Sequence, residues 1–274
     1  MSARSPSKKE SRISTSRTSQ TLVVGGAIVE VRRAIAPSIQ ESDDRVPTGI
    51  PSLDKIIEGG LRRGDCVIVA GQPGTGKTTL GLQFLYHGAT RCGENGVYAS
   101  VIESGEKLKR NGLRFGWDLN RLEAENKLRL VSLQSTMKAG VSTALETVLE
   151  ALHTMNAKRL VFDSLSALMT AFESNAEARS FLHIMVKFLE AANCTTLMIS
   201  EVPWGKQQLG TNFEEFLGDG LVILDASFDN SRVRRRVYIP KMRGTEHRLE
   251  GYDYYITRDG FSLAPTPIPP DKIR

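Results

Sequence analysis

Cysteine is scarce in this chain of 274 residues: Cys66, Cys92 and Cys194 are three in all, odd in number and far apart. No Cys-x-x-Cys pair occurs, and the four histidines, His87, His153, His183 and His247, share no ligand spacing. That excludes a disulfide framework and a zinc site of the usual patterns, and Cys66 and Cys194, in or beside apolar runs, read as buried reduced thiols of a cytoplasmic protein. No run of about 18 apolar residues exists, so no membrane-spanning helix is expected. Residues 22–29 are apolar and follow a basic start, but Glu30, Arg32 and Arg33 interrupt them before any cleavage site, which argues against export. Positive charge is also scarce where it would matter. Of the net +5, residues 1–20 hold +4, from five Lys/Arg and one acid, which leaves +1 for the rest. A nearly neutral remainder argues against a nucleic-acid surface on it.

What the chain does have is glycine in one informative place. Gly71-Gln72-Pro73-Gly74-Thr75-Gly76-Lys77-Thr78 fits G-x-x-x-x-G-K-[ST] at every fixed position. Residues 66–70 before it are short and apolar, as a buried strand is, and residues 79–86 after it are spaced as in a buried helix. Glycines let such a loop curl so that successive N–H groups point at an anion, and the following helix adds the positive end of its dipole. Lys77 supplies a point charge for the β- and γ-phosphates, Thr78 a hydroxyl ligand for Mg²⁺, and Gly71, Gly74, Thr75, Gly76 and Thr79 the rest of the ATP cradle.

Residues 1–20, with nine Ser/Thr, read as a disordered tail, and residues 1–44 as tail and linker. Residues 21–36 suit either a strand or a helix. The folded domain is placed at residues 45–264, with a loose tail at 265–274 carrying prolines. Within it strands are expected at 96–102, 128–133, 160–162, 195–200 and 221–224, and helices at 107–115, 141–155 and 176–192. This alternation predicts an α/β fold, a mostly parallel sheet with helices on both faces. Residues 233–241, then 254–256 and 261–263 about Arg258-Asp259-Gly260, predict an antiparallel carboxyl-terminal extension.

A phosphate loop needs an acid at the end of a second strand. Asp163, closing Arg159-Leu160-Val161-Phe162, is the candidate metal-site acid, against the alternative of a turn cap. Glu103, in Glu103-Ser104-Gly105-Glu106, is the candidate water-orienting acid, against the alternative of a helix-start charge. Lys241 and Arg243, two apart on a strand, share a face and offer cations for a transferring phosphoryl group; the alternative is a solvated strand edge, which Pro240 favours.

These residues together resemble the KaiC-type, RecA-like P-loop ATPases, including their single-domain archaeal relatives. The resemblance spans residues 45–264. It rests on Arg45-Val46-Pro47-Thr48-Gly49-Ile50-Pro51-Ser52-Leu53-Asp54 leading into Gly59-Gly60-Leu61-Arg62-Arg63-Gly64, on Asn111-Gly112-Leu113-Arg114-Phe115-Gly116-Trp117-Asp118-Leu119, and on Lys241-Met242-Arg243-Gly244-Thr245-Glu246-His247. It implies a RecA-type core assembled as a homo-oligomeric ring, usually a hexamer, with ATP between subunits, a signalling protein as partner, and Lys241 and Arg243 reaching the neighbour's γ-phosphate. Two positions depart from the family pattern. Ile102 stands where the first of two adjacent glutamates is usual, leaving Glu103 alone, so slow hydrolysis is expected. Residues 212–219 lack a Ser-Thr pair, so no autokinase activity is expected there. A non-hydrolysing ATP-dependent scaffold and a recombinase-like DNA-binding ATPase are the alternatives; residues 205–210, with one lysine, make a poor track for a phosphate backbone.

Overall fold

The computed structural model describes residues 19–24, 27–32, 44–204, 218–229 and 232–266. The chain forms two units, residues 1–39 and 40–274. In the first, β1 (Ser19–Val24) and β2 (Ala27–Arg32) pair antiparallel, in register from Ser19↔Arg32 to Val24↔Ala27. The expectation of a disordered tail and linker therefore needs correction over these residues. Val23, Val24, Ile28, Val29 and Val31 flank Gly25-Gly26, and β-branched runs about two glycines are a hairpin pattern.

The second unit opens with β3 (Arg45–Val46), α1 (Pro51–Asp54) and β4 (Leu61–Arg62), the two strands pairing antiparallel. Then come β5 (Cys66–Gly71), α2 (Lys77–His87), β6 (Gly96–Ser100), α3 (Gly105–Leu113), α4 (Leu119–Ala124) and β7 (Leu128–Ser132). Next are α5 (Gln134–Ala139), α6 (Val141–Met155), β8 (Arg159–Asp163), α7 (Leu165–Met169), α8 (Asn175–Ala191) and β9 (Thr195–Glu201). The last four strands are β10 (Gly220–Asp229), β11 (Arg232–Met242), β12 (Tyr252–Thr257) and β13 (Gly260–Leu263).

Nine of these strands form one sheet in the order β13-β12-β11-β10-β5-β9-β8-β6-β7. Six are parallel, from β10 through β5 to β7, and the three beyond β10 are antiparallel. The mostly parallel sheet with an antiparallel extension is the architecture expected. β5 lies inside the sheet and is buried along its whole length, which is why it reads as an unbroken apolar run. Ser104, Asp118, Ser164 and Ser174 cap the starts of α3, α4, α7 and α8 with side-chain bonds to backbone N–H groups.

Arg159 ties several of these pieces together. Its side chain is fully buried, a position in which a charge must be paired. Its Nε meets Glu94 Oε2 at 2.6 Å, its Nη1 donates to Pro47 O at 2.8 Å and Phe84 O at 2.9 Å, and its guanidinium lies 4.6 Å from the Phe84 ring centre. Gly88 permits this approach, since a Cβ there would stand 2.5 Å from the Arg159 stem. The arginine thus fastens the opening segment and the far end of α2 to the start of the strand that carries Asp163. Arg159→Ala leaves Glu94 and two carbonyls without their partner, so a loss of about 3–5 kcal/mol is expected. A denaturant midpoint unchanged from wild type would contradict this.

Candidate functional site

The loop after β5 forms at the carboxyl ends of the parallel strands. Gly74 (φ 83°) and Gly76 (φ 92°) hold left-handed backbone that disfavours side chains. Gly71 serves differently: a Cβ there would lie 2.3 Å from Leu224 O, so it is needed for the close passage of β10. Thr75 Oγ1 donates to Gln72 O at 2.7 Å, and Tyr254 OH donates to Thr75 O at 2.6 Å. Gln72 bridges to β10 by donating to Asp225 Oδ1 at 3.0 Å and accepting from Ala226 N at 3.1 Å. The loop is braced by its neighbours on the β10 side.

Lys77 is buried, and its Nζ donates to Gly71 O at 2.7 Å and Gln72 O at 3.0 Å. Burial lowers its proton affinity, opposed by the charges of Glu201 and Asp163. Thr78 Oγ1 donates to Asp163 Oδ2 at 3.2 Å, and Tyr98 OH donates to the same oxygen at 2.6 Å. Burial pushes the Asp163 carboxyl up, while the Tyr98 and Thr78 hydrogen bonds pull it down. The Tyr98 phenol is raised well above its usual range by burial and by Asp163, so it stays a neutral donor. The peptide between Asp163 and Ser164 is cis.

These groups border a cleft of about 680 Å³ lined by Gly74, Gly76, Lys77, Thr78, Thr79 and Asp163 from the expected set. Four charged lining residues escaped the sequence reading as site residues: Glu201, Arg235, Arg258 and Arg114. Glu201 closes β9 directly opposite Gly71, and an acid at a strand end was the signal available for it. Arg235 reaches Gly74 O at 3.4 Å from β11, a position that only the sheet order reveals.

Glu103 is not among the cleft-lining residues, although its charge acts on Asp163 and helps push that carboxyl up. β6 stops at Ser100, two residues short of the expected strand end, because Ser100 Oγ accepts from Glu103 N at 2.8 Å and the chain bends. Ile102 is left half-exposed, and Glu103 Oε1 pairs with Lys107 at 2.6 Å. Lys241 and Arg243 are also away from the loop. Lys241 pairs with Leu221, whereas it is Leu224 that pairs with Gly71, and Lys241 Nζ donates to Gly218 O at 2.6 Å while Arg243 meets Asp219 Oδ1 at 3.4 Å. β12 contacts β11 in register only at Arg236 and Val237, so Pro240 lies on a stretch that β12 does not pair. The expectations for residues 205–210 and 212–217 lie outside the described residues.

Residues 46–267 match the family described as "ATPase: KaiC". The chain belongs to the KaiC ATPase family. Its curated relatives include a UPF0273 protein of Pyrococcus furiosus, 30% identical over 241 residues, 82% of this chain and 95% of that protein. The circadian clock oscillator protein KaiC of Nostoc is 32% identical over 81% of this chain, which spans 44% of that protein. The crystal structure of a KaiC-like protein from Pyrococcus horikoshii superposes with a TM-score of 0.74 at 35% identity, covering 82% of this chain and all of that one. KaiC family membership makes this a P-loop ATPase domain that binds nucleotide, and it accounts for the RecA-like sheet. Among the described residues no helix is long and apolar enough to cross a membrane.

At Gly76 the loop holds a left-handed φ of 92°, and a Cβ would stand 2.2 Å from Ile256 Cδ1, which would have to move. Gly76→Ala is expected to weaken ATP binding about 5- to 30-fold, because the unliganded loop would relax away from the left-handed form and binding would have to restore its penalty of roughly 1–2 kcal/mol. Titration with a fluorescent ATP analogue checks it, with circular dichroism to confirm the fold.

Proposed function

We propose that this KaiC-family chain is a Mg²⁺-dependent ATPase of low turnover that works as a homo-oligomeric ring, with ATP held between subunits and the nucleotide state read by a signalling partner. The observation that carries the reading is the Thr78–Asp163 contact at 3.2 Å beside the buried Lys77. A hydroxyl from the first turn of α2 and a carboxylate from the end of β8 suit a hard cation that keeps waters and phosphate oxygens as its other ligands. Thr78 would hold Mg²⁺ directly and Asp163 its water shell; the ion neutralises phosphate charge when bound. Lys77 would exchange the Gly71 and Gln72 carbonyls for phosphate oxygens. Lys241 and Arg243, remote from their own loop, suit a neighbour's nucleotide, which would make the site depend on assembly.

Two acids compete for the water-orienting role. Glu103, favoured by its place in the sequence, is tied to Lys107 through Oε1 and its charge acts on Asp163 and Tyr98, whereas Glu201 lines the cleft itself and acts on Lys77. We therefore infer that Glu201 is the acid that matters here. Glu201→Gln is expected to cut phosphate release about 100-fold, the lower range for loss of a general base, while Glu103→Gln changes it only a few-fold. The reverse ranking would restore Glu103.

Lys77→Ala should abolish ATP binding and turnover, and retained binding would refute the reading as a whole. Mixing inactive Lys77→Ala with inactive Arg243→Ala should recover part of the activity, because mixed rings contain some intact sites. No recovery, with both variants assembling normally, would remove the intersubunit role. The second reading, an ATP-dependent scaffold that does not hydrolyse, is favoured by Ile102 and by the Glu103–Lys107 pair. Nucleotide-dependent ring formation seen by native mass spectrometry, without phosphate release, would select it.

A further inference from the structure

The carboxylate at the end of β8 is held by a side chain that phosphate-loop chemistry does not call for. Tyr98, in the middle of β6, is fully buried, and its hydroxyl donates to Asp163 Oδ2 at 2.6 Å, a shorter contact than the 3.2 Å from Thr78 Oγ1 to that atom. One carboxylate oxygen thus receives two donors, one from the strand beside β8 and one from the first turn of α2.

The ring has little freedom. Tyr98 pairs with Val161 across β6 and β8, and α2 passes over both at Gly81, where a Cβ would stand 2.9 Å from Val161 Cγ1 and 3.5 Å from Tyr98 Cε2. The glycine lets the helix press on the aromatic ring, and the ring carries its hydroxyl to the acid. Packing therefore fixes where the donor sits before any ligand arrives.

We propose that Tyr98 is a positioning residue for the metal site: its hydroxyl, bonded to Asp163 Oδ2, fixes the orientation of the carboxylate that would hold a Mg²⁺ water shell beside Thr78. Without the hydroxyl, Asp163 keeps its charge but loses the bond that selects one orientation. Groups that orient metal-site ligands commonly account for 10- to 100-fold in metal affinity. This rests on the ATPase reading above and adds a residue to it.

Tyr98→Phe removes the hydroxyl and keeps the packed ring. The test is the affinity for a fluorescent ADP analogue, titrated with Mg²⁺ and again in EDTA, on the full chain. The expected result is a rise of about tenfold in the Mg²⁺ concentration for half-maximal binding, with affinity in EDTA unchanged. In an Asp163→Asn background the same substitution should add no further shift, because both changes act on one interaction. An unchanged Mg²⁺ requirement overturns the proposal. An equal fall in affinity with and without Mg²⁺ overturns it too, since that is the mark of a merely structural ring. A Tyr98→Phe shift that persists with Asp163→Asn overturns the route through Asp163. Wild-type protein that binds no nucleotide at all refutes the ATPase reading itself, and this proposal with it.

Discussion

The buried ammonium of Lys77 is the group around which the carboxyl end of the sheet is arranged. It stands in the first turn of α2, where the helix dipole is positive and disfavours a cation. Burial disfavours it again. Two loop carbonyls, Gly71 O and Gln72 O, and the negative charges of Asp163 and Glu201 hold it in place. An anion entering the curl would find the positive end of the helix and the ammonium already assembled. Binding would have only to displace the carbonyls from the lysine, so most of the ordering cost is met by folding.

That readiness depends on rigid surroundings at both ends of the strands. At the carboxyl end, Tyr254 holds Thr75, Gln72 is bonded to β10, and Tyr98 holds Asp163. At the amino end, the buried Arg159 joins the opening segment, α2 and β8 through Pro47, Phe84 and Glu94. Glu94 carries a second arginine, Arg63, at 2.7 Å. The same strand that begins at Arg159 ends at Asp163, so the position of that carboxylate is set from below by an ion pair and from above by a phenol.

Much of this was legible in the sequence because it is local. The loop pattern, the strand before it, the helix after it and the acid ending a second apolar strand are each written in a few adjacent residues. Even the hairpin at the carboxyl end could be read, with Thr257 pairing Gly260 about Arg258-Asp259. What escaped depends on contacts between distant strands. Glu201 reaches the cleft because β9 lies beside β5 with Glu201 opposite Gly71. Tyr98 reads as one more core aromatic until β8 is placed next to β6. Arg159 falls outside the expected strand at 160–162, since periodicity gives no sign that a charge there is buried. The bend after Ser100 escaped for another reason: a single side-chain bond to Glu103 N ends the strand, and alternation arguments assume the strand continues.

The geometry of β11 bears on whether one copy can complete the site. Lys241 is opposite Leu221, three residues before Leu224, which is opposite Gly71. At about 3.3 Å per residue that is about 10 Å down the sheet, and two strand spacings add about 10 Å across it. Arg243 lies farther down still, with its N–H bonded to Asp219 O. Neither cation can serve the phosphate loop of its own chain without β11 leaving the sheet. Lys241 lies at the end of β11 and Arg243 in the turn just past it, not on one strand as expected, and they stand beside the carbonyl of Gly218 and the carboxylate of Asp219 that hold them now. A nucleotide brought to that edge by a second copy would offer the same kind of negative oxygen, with more charge. If these cations take part in the chemistry at all, the catalytic unit is the contact between two copies and not the single fold.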